Sequence, residues 1–290
     1  MIIGMILFGV ISDQLGRKTG AVATTILLVL GITLSTAANG TTSTGMFWML
    51  IVARGVAGVG AGGEYPVSGA GAAEATDEDD KFRKRRGFMF AMLADLSASL
   101  GYVWGAYRKS ALRKQRMPYW LALKRYWRPL LGAASTWFLY NWISIPFGIF
   151  SSTIISRANV EDSLVKTLGW GVVINCFYIP GPFIGGYLSD KIGRRQTMAL
   201  GFTLQAILGF ILGGAMNSIQ RVFPLFVILY GIFLTLGEVG PGSTVVLIAS
   251  ECFPTSIRGQ MMGFISAVSK AGAAIGTQVT KCSFKLTTTT

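Results

Sequence analysis

No histidine occurs anywhere in this sequence of 290 residues, and its three cysteines, Cys176, Cys252 and Cys282, show no CxxC spacing. A zinc site and a thiol framework therefore have no support, and without a metal cluster or nucleophile motif an enzymatic reading has little to stand on. Neither a metal nor a cofactor is expected. Acid is scarce too, with 13 Asp and Glu against 26 Lys and Arg. Only 13% of residues are charged while 51% are hydrophobic, and the mean hydropathy is +0.53, too apolar for a domain whose whole surface must be solvated. The opening MIIGMILFGV has neither the basic leader nor the small-residue cleavage site of a signal peptide.

What is present is a succession of apolar runs long enough to cross a bilayer as helices, which takes about 20 residues each. They cover 21–38, 47–61, 130–155, 164–188, 197–217 and 223–237, the last continuing to 250 past Glu238. Two weaker runs, 87–105 and 259–278, carry one charge apiece, Asp95 and Lys270. Glycines inside these runs suit helices packed backbone to backbone. The fold class expected is an all-α polytopic membrane protein. A net charge of +13 is compatible with nucleic acid, but 19 of the 26 basic residues fall in five short stretches between or beside the runs. That placement follows the positive-inside bias of membrane loops, so the expected partner is a lipid bilayer and no nucleic acid.

GVISDQLGRK at 9–18 returns as GYLSDKIGRR at 186–195, an offset of 177. The register extends further: Glu64 matches Glu238, Glu74 matches Glu251, and Arg86-Gly87 matches Arg258-Gly259. The chain reads as a tandem duplication, with an N-terminal half at 1–106, a basic cytoplasmic linker at 107–128 and a C-terminal half at 129–290. In the second copy 59 residues precede the motif back to Trp127, whereas 8 precede Gly9, so helix is expected to be missing before the first copy. Alternating sidedness calls for further crossings near 105–107 and after Gln278.

Two halves with G-x-x-x-D-x-x-G-R-[KR] after the second helix of each resemble the major facilitator superfamily. GGEYPVS at 62–68, TWFLYN at 136–141, SECFPTSIRG at 250–259 and SKAGAAIG at 269–276 look like its phosphate:proton symporter branch. With IPFGIFSSTI at 145–154 the chain is similar to fungal glycerophosphoinositol and glycerophosphocholine permeases. The resemblance implies a major facilitator fold of two pseudo-repeat halves, here with the first, sixth and last transmembrane helices missing or incomplete.

It also implies roles. Lys270 stands at the lysine that holds the phosphate group, Glu64 at the acid expected to carry the coupled proton, Tyr65 at the hydroxyl beside it, and Trp137 at the site tryptophan. A flexible ammonium suits a phosphodiester of single charge, and proton carriage needs a carboxyl in partly dry surroundings. Asn141 stands where phosphate transporters have Asp, which removes repulsion from the anion and favours a larger ester. Asp95 lies one helical turn from the position matching Lys270 in the other copy and is grouped with Glu64 as a proton-coupling residue. Pro66 is expected to break its helix beside Glu64.

Asp13 with Arg17, and Asp190 with Arg194, can form charge-assisted contacts at helix ends. In the superfamily such clasps are taken to stabilise the outward-facing state, with Gly9, Gly16, Gly186 and Gly193 giving tight turns and close helix contact. For Glu238 two expectations stand level, a charge inside an apolar run that serves transport and a salt bridge or interhelical hydrogen bond, while Arg54 is expected beside a loop or helix-end acid rather than at substrate. Residues 108–128 hold eight basic residues and no acid, either a basic aromatic segment on the membrane surface or a solvated linker. The function expected is proton-coupled uptake of glycerophosphodiesters across the plasma membrane by a monomer. The alternatives are an inorganic phosphate:proton symporter and a non-transporting remnant.

Overall fold

The computed structural model describes residues 1–39, 42–77, 85–89, 119–150, 164–214 and 223–286. Among them the chain is helical throughout and no strand occurs. The helices are α1 (Ile2–Leu15), α2 (Arg17–Thr36), α3 (Ser43–Asp77), α4 (Tyr119–Ile149), α5 (Leu164–Cys176), α6 (Pro180–Lys191) and α7 (Arg194–Gly214). They are followed by α8 (Phe223–Gly237), a π-helical turn at Glu238–Gly242, α9 (Ser243–Cys252) and α10 (Arg258–Leu286). Among the described residues five stretches are long and apolar enough to cross a membrane: Arg17–Thr36, Ser43–Glu74, Gly169–Lys191, Arg194–Gly214 and Phe223–Cys252. The expected run at 87–105 and the crossing sought near 105–107 lie almost wholly outside the described residues.

Two differences from the expected pattern have local causes. Helix α3 runs unbroken for 35 residues through Pro66. The ring removes one N–H and leaves the Gly62 carbonyl without its intrahelical donor, yet the helix does not break there. The run at 164–188 is instead divided at Pro180, which has no N–H to donate to the preceding turn, although Ile179 before it keeps helical dihedrals (φ -62, ψ -49). Shorter bonds bridge the gap: the amides of Phe177, Tyr178 and Ile179 donate to the carbonyls of Ile174, Asn175 and Cys176 at 3.1, 3.1 and 3.2 Å.

The chain forms two compact units, each taking residues from both copies of the repeat. Unit 1 holds Met1–Asp80, Ala98–Trp137 and Ile248–Ala271; unit 2 holds Lys81–Ser97, Phe138–Leu247 and Gly272–Thr290. In unit 1, α1, α2 and α3 meet through small residues. A Cβ on Gly60 would stand 2.6 Å from the Leu28 amide nitrogen, so no larger residue fits between α3 and α2. Met5, Phe8, Ala53, Val67 and Ala70 form the buried side, while Ile26, Trp48 and Val52 stay exposed, as residues facing lipid should. In unit 2 the core is aromatic and aliphatic: Ile174, Leu212, Phe226, Val227, Tyr230, Phe233 and Leu234. The rings of Phe226 and Tyr230 stack at 5.8 Å, and Tyr230 donates its hydroxyl proton to the Phe147 carbonyl at 2.7 Å.

Candidate functional site

In unit 1 the first copy of the loop motif closes on the start of α10. Gly16, at φ 101, separates α1 from α2 in the left-handed region that a side chain resists, and the sharp turn brings Arg17 back towards Asp13. The Asp13 carboxylate pairs with the Arg17 guanidinium and accepts the backbone N–H groups of Gly259 at 3.0 Å and Gln260 at 2.8 Å. These are among the first amides of α10, donors that no intrahelical carbonyl can satisfy, and the helix dipole favours an anion there. Gly9 permits the approach, since a Cβ on it would lie 2.7 Å from the Gly259 carbonyl oxygen.

Arg17 is the hub of this cluster. It donates to Glu74 from Nη2 at 2.8 Å and from Nε at 3.1 Å, to the Thr255 carbonyl at 3.2 Å, and to the Ser12 hydroxyl. Glu74, Ser12 and Asp13 are all buried or nearly so, and such a guanidinium fork is the geometry in which a buried ion pair is best satisfied. The sequence aligned Glu74 with Glu251 without revealing Arg17 as its partner.

The second copy builds the same arrangement in unit 2. Gly193, at φ 99, turns the chain between α6 and α7, and Asp190 accepts the backbone N–H groups of Gly87 at 2.8 Å and Phe88 at 2.9 Å. Arg194 lies 3.7 Å from Asp190 and also donates to the Ser189 carbonyl, a looser and more exposed pair than Asp13 with Arg17. Gly186 is buried in α6, and its carbonyl accepts the Ser189 hydroxyl. In each clasp an aspartate from one copy holds the two amides that follow the arginine of the other copy's Arg-Gly pair.

The residues aligned with phosphate binding fall mostly in unit 1. Lys270 Nζ stands 4.9 Å from the Tyr65 ring centroid, over its face, the geometry of a cation–π contact. Glu64 adjoins Tyr65 on α3 and is half-buried, with its carbonyl accepting the Ser68 hydroxyl at 2.6 Å. Trp137 is buried in the same unit. On α10, Ser266 and Ser269 are buried near Lys270 in sequence. Arg54 is exposed on α3 and, among the described residues, pairs with no acid, so the helix-end partner expected for it is not found there. Asp95 lies outside the described residues.

Asn141 belongs to unit 2, where it is buried on α4. Its neighbour Tyr140 donates its hydroxyl proton to Glu238 Oε1 at 2.6 Å, the interhelical hydrogen bond that was one of the two expectations for Glu238. Glu238 opens the π-helical turn, which contains Pro241. Glycines surround it: a Cβ on Gly181 would stand 2.4 Å from the Glu238 Cβ, and one on Gly201 2.3 Å from the Gly240 Cα. Tyr140 had no signal of its own in the sequence. Among the described residues no group of acids and cysteines is placed to hold a metal ion.

A family model for sugar and other transporters matches residues 1–147 and again 107–288. This chain belongs to that transporter family, within the major facilitator superfamily. Glycerophosphoinositol permease 1 of Candida albicans is 36% identical over 96% of the chain, and glycerophosphoinositol transporter 1 of Saccharomyces cerevisiae 34% identical over 96%. The chain spans 62% of the length of each. A probable inorganic phosphate transporter of Arabidopsis thaliana is 28% identical over 52% of the chain and 30% of its own length. With this family and these apolar helices the facilitator chain is an integral membrane protein.

Proposed function

We propose that the protein carries glycerophosphodiesters across the plasma membrane in symport with protons, as a monomer. The observation that carries this reading is the Lys270 ammonium over the Tyr65 ring, next to Glu64 on an apolar helix. A charge in such surroundings is costly unless it serves a partner or a wetted cavity; an ammonium over an aromatic face suits a monoanionic ester, and the half-buried carboxyl of Glu64, the chain neighbour of Tyr65, would serve the proton. The names of the fungal relatives support the substrate class. Asp13 and Asp190 would release their amides as the carrier changes state, with the duplicated segments 1–106 and 129–290 as the moving halves. Asp95 would share the proton with Glu64.

Uptake of labelled glycerophosphoinositol by permease-deficient cells tests it. Expression should confer uptake that a protonophore abolishes and that Lys270→Ala removes; uptake unchanged in that variant sinks the reading. A second reading, carriage of inorganic phosphate, is favoured by the Arabidopsis relative. Asn141→Asp should shift competition from the diester towards phosphate if the amide sets the preference.

A further inference from the structure

Helix α4 is longer than a membrane requires. Its 31 residues extend about 46 Å at 1.5 Å per residue, of which the uncharged stretch from Pro129 to Ile149 takes about 31 Å, roughly the thickness of a hydrocarbon core. The first ten residues, YWLALKRYWR, add about 15 Å before that stretch and hold every charge of the helix.

That segment is two-faced. Ala122 and Leu130 are buried, and Tyr126 between them packs edge-on against Phe253 at 6.0 Å, which fixes the inner side. On the outer side Trp120 is 79% exposed and Trp127 49%, with Leu123, Lys124, Arg128 and Leu131 exposed around them. Positions 120, 124, 127 and 131 share one face by helical spacing. The Arg128 guanidinium lies 5.4 Å from the Trp127 ring centroid, which holds a cation at the rim of an apolar ring. No acid occurs between Asp95 and Glu161, so nothing on the flanking chain neutralises this face.

We infer that this face of α4 is a binding site for an anionic phospholipid, with Lys124 and Arg128 on the headgroup phosphate and Trp120 and Trp127 at the acyl boundary. Charge complementarity selects the occupant. Indole rings settle where hydrocarbon meets headgroups, and basic side chains beside them draw acidic lipids to the cytoplasmic leaflet. The lipid site is separate from Lys270, and its occupancy does not depend on which substrate the carrier moves.

Brominated lipids quench tryptophans they touch, so the purified chain in detergent is titrated with brominated phosphatidylserine and, separately, brominated phosphatidylcholine. Wild type should show stronger quenching by phosphatidylserine. Trp120→Phe with Trp127→Phe should remove that excess, and Lys124→Gln with Arg128→Gln should reduce the preference about fivefold per charge removed. Lys124→Arg with Arg128→Lys, which keeps the charge, should restore it. Equal quenching by the two lipids in wild type, or an excess surviving either pair of changes, overturns the site. Loss of the excess on adding inorganic phosphate at constant ionic strength also overturns it, in favour of a soluble anion.

Discussion

Asp13 precedes Gly259 by 246 positions and accepts its backbone amide at 3.0 Å while pairing with Arg17, so one buried carboxylate both caps α10 and neutralises a guanidinium. Asp13→Asn keeps the shape and loses the charge. Arg17 retains Glu74, which limits the damage to about 1–3 kcal/mol. Asp190→Asn should cost less, because Arg194 is farther away and more exposed. Thermal unfolding of the two variants in one detergent checks the order.

Glu74 and Arg17 should prove coupled. A double-mutant cycle with Glu74→Gln and Arg17→Met should return an interaction of about 1–3 kcal/mol, since the two groups share a bidentate, largely buried contact. Additive effects would mean the pair contributes nothing beyond its separate contacts.

At Tyr65 the ring face meets Lys270. Tyr65→Phe should leave the apparent KM for the diester within about twofold, whereas Tyr65→Leu should raise it several-fold, corresponding to about 0.5–2 kcal/mol for a cation–π contact. A large effect of Tyr65→Phe would assign the work to the hydroxyl instead.

Tyr140→Phe leaves Glu238 without its phenolic donor at the π-helical turn and should destabilise by about 1–3 kcal/mol. Glu238→Gln, which can still accept that proton, should cost less. Gly201→Ala should be worse than either for folding, because its Cβ would meet the Gly240 backbone, which cannot step aside as a side chain can.

Much of this was legible from residue order. The apolar runs marked the helices because every backbone amide inside a bilayer must be satisfied within its own segment, and that demand imposes length. The repeated S-D-x-x-G-R marked both turns, since Gly16 and Gly193 are the positive-φ residues among those described. Pairings were less legible. Arg17 meets Glu74 across 57 positions and Tyr140 meets Glu238 across 98, and no local periodicity encodes contacts at such separation. Pro66 misled in the other direction: an isolated proline signals a break, but the helix around it continues, while the departure from α geometry appears at Glu238–Gly242.

The two clasps bear on how such a chain could have arisen. Asp13 holds the amides after Arg258, and Asp190 those after Arg86, so each copy carries a donor end and an acceptor end, and each is closed by the other copy. A forebear with one copy would have held both ends with neither closed, and association with a second like chain would have closed them. Gene fusion would then have made a permanent partner of what had been a neighbour, leaving each motif answerable to changes in its twin.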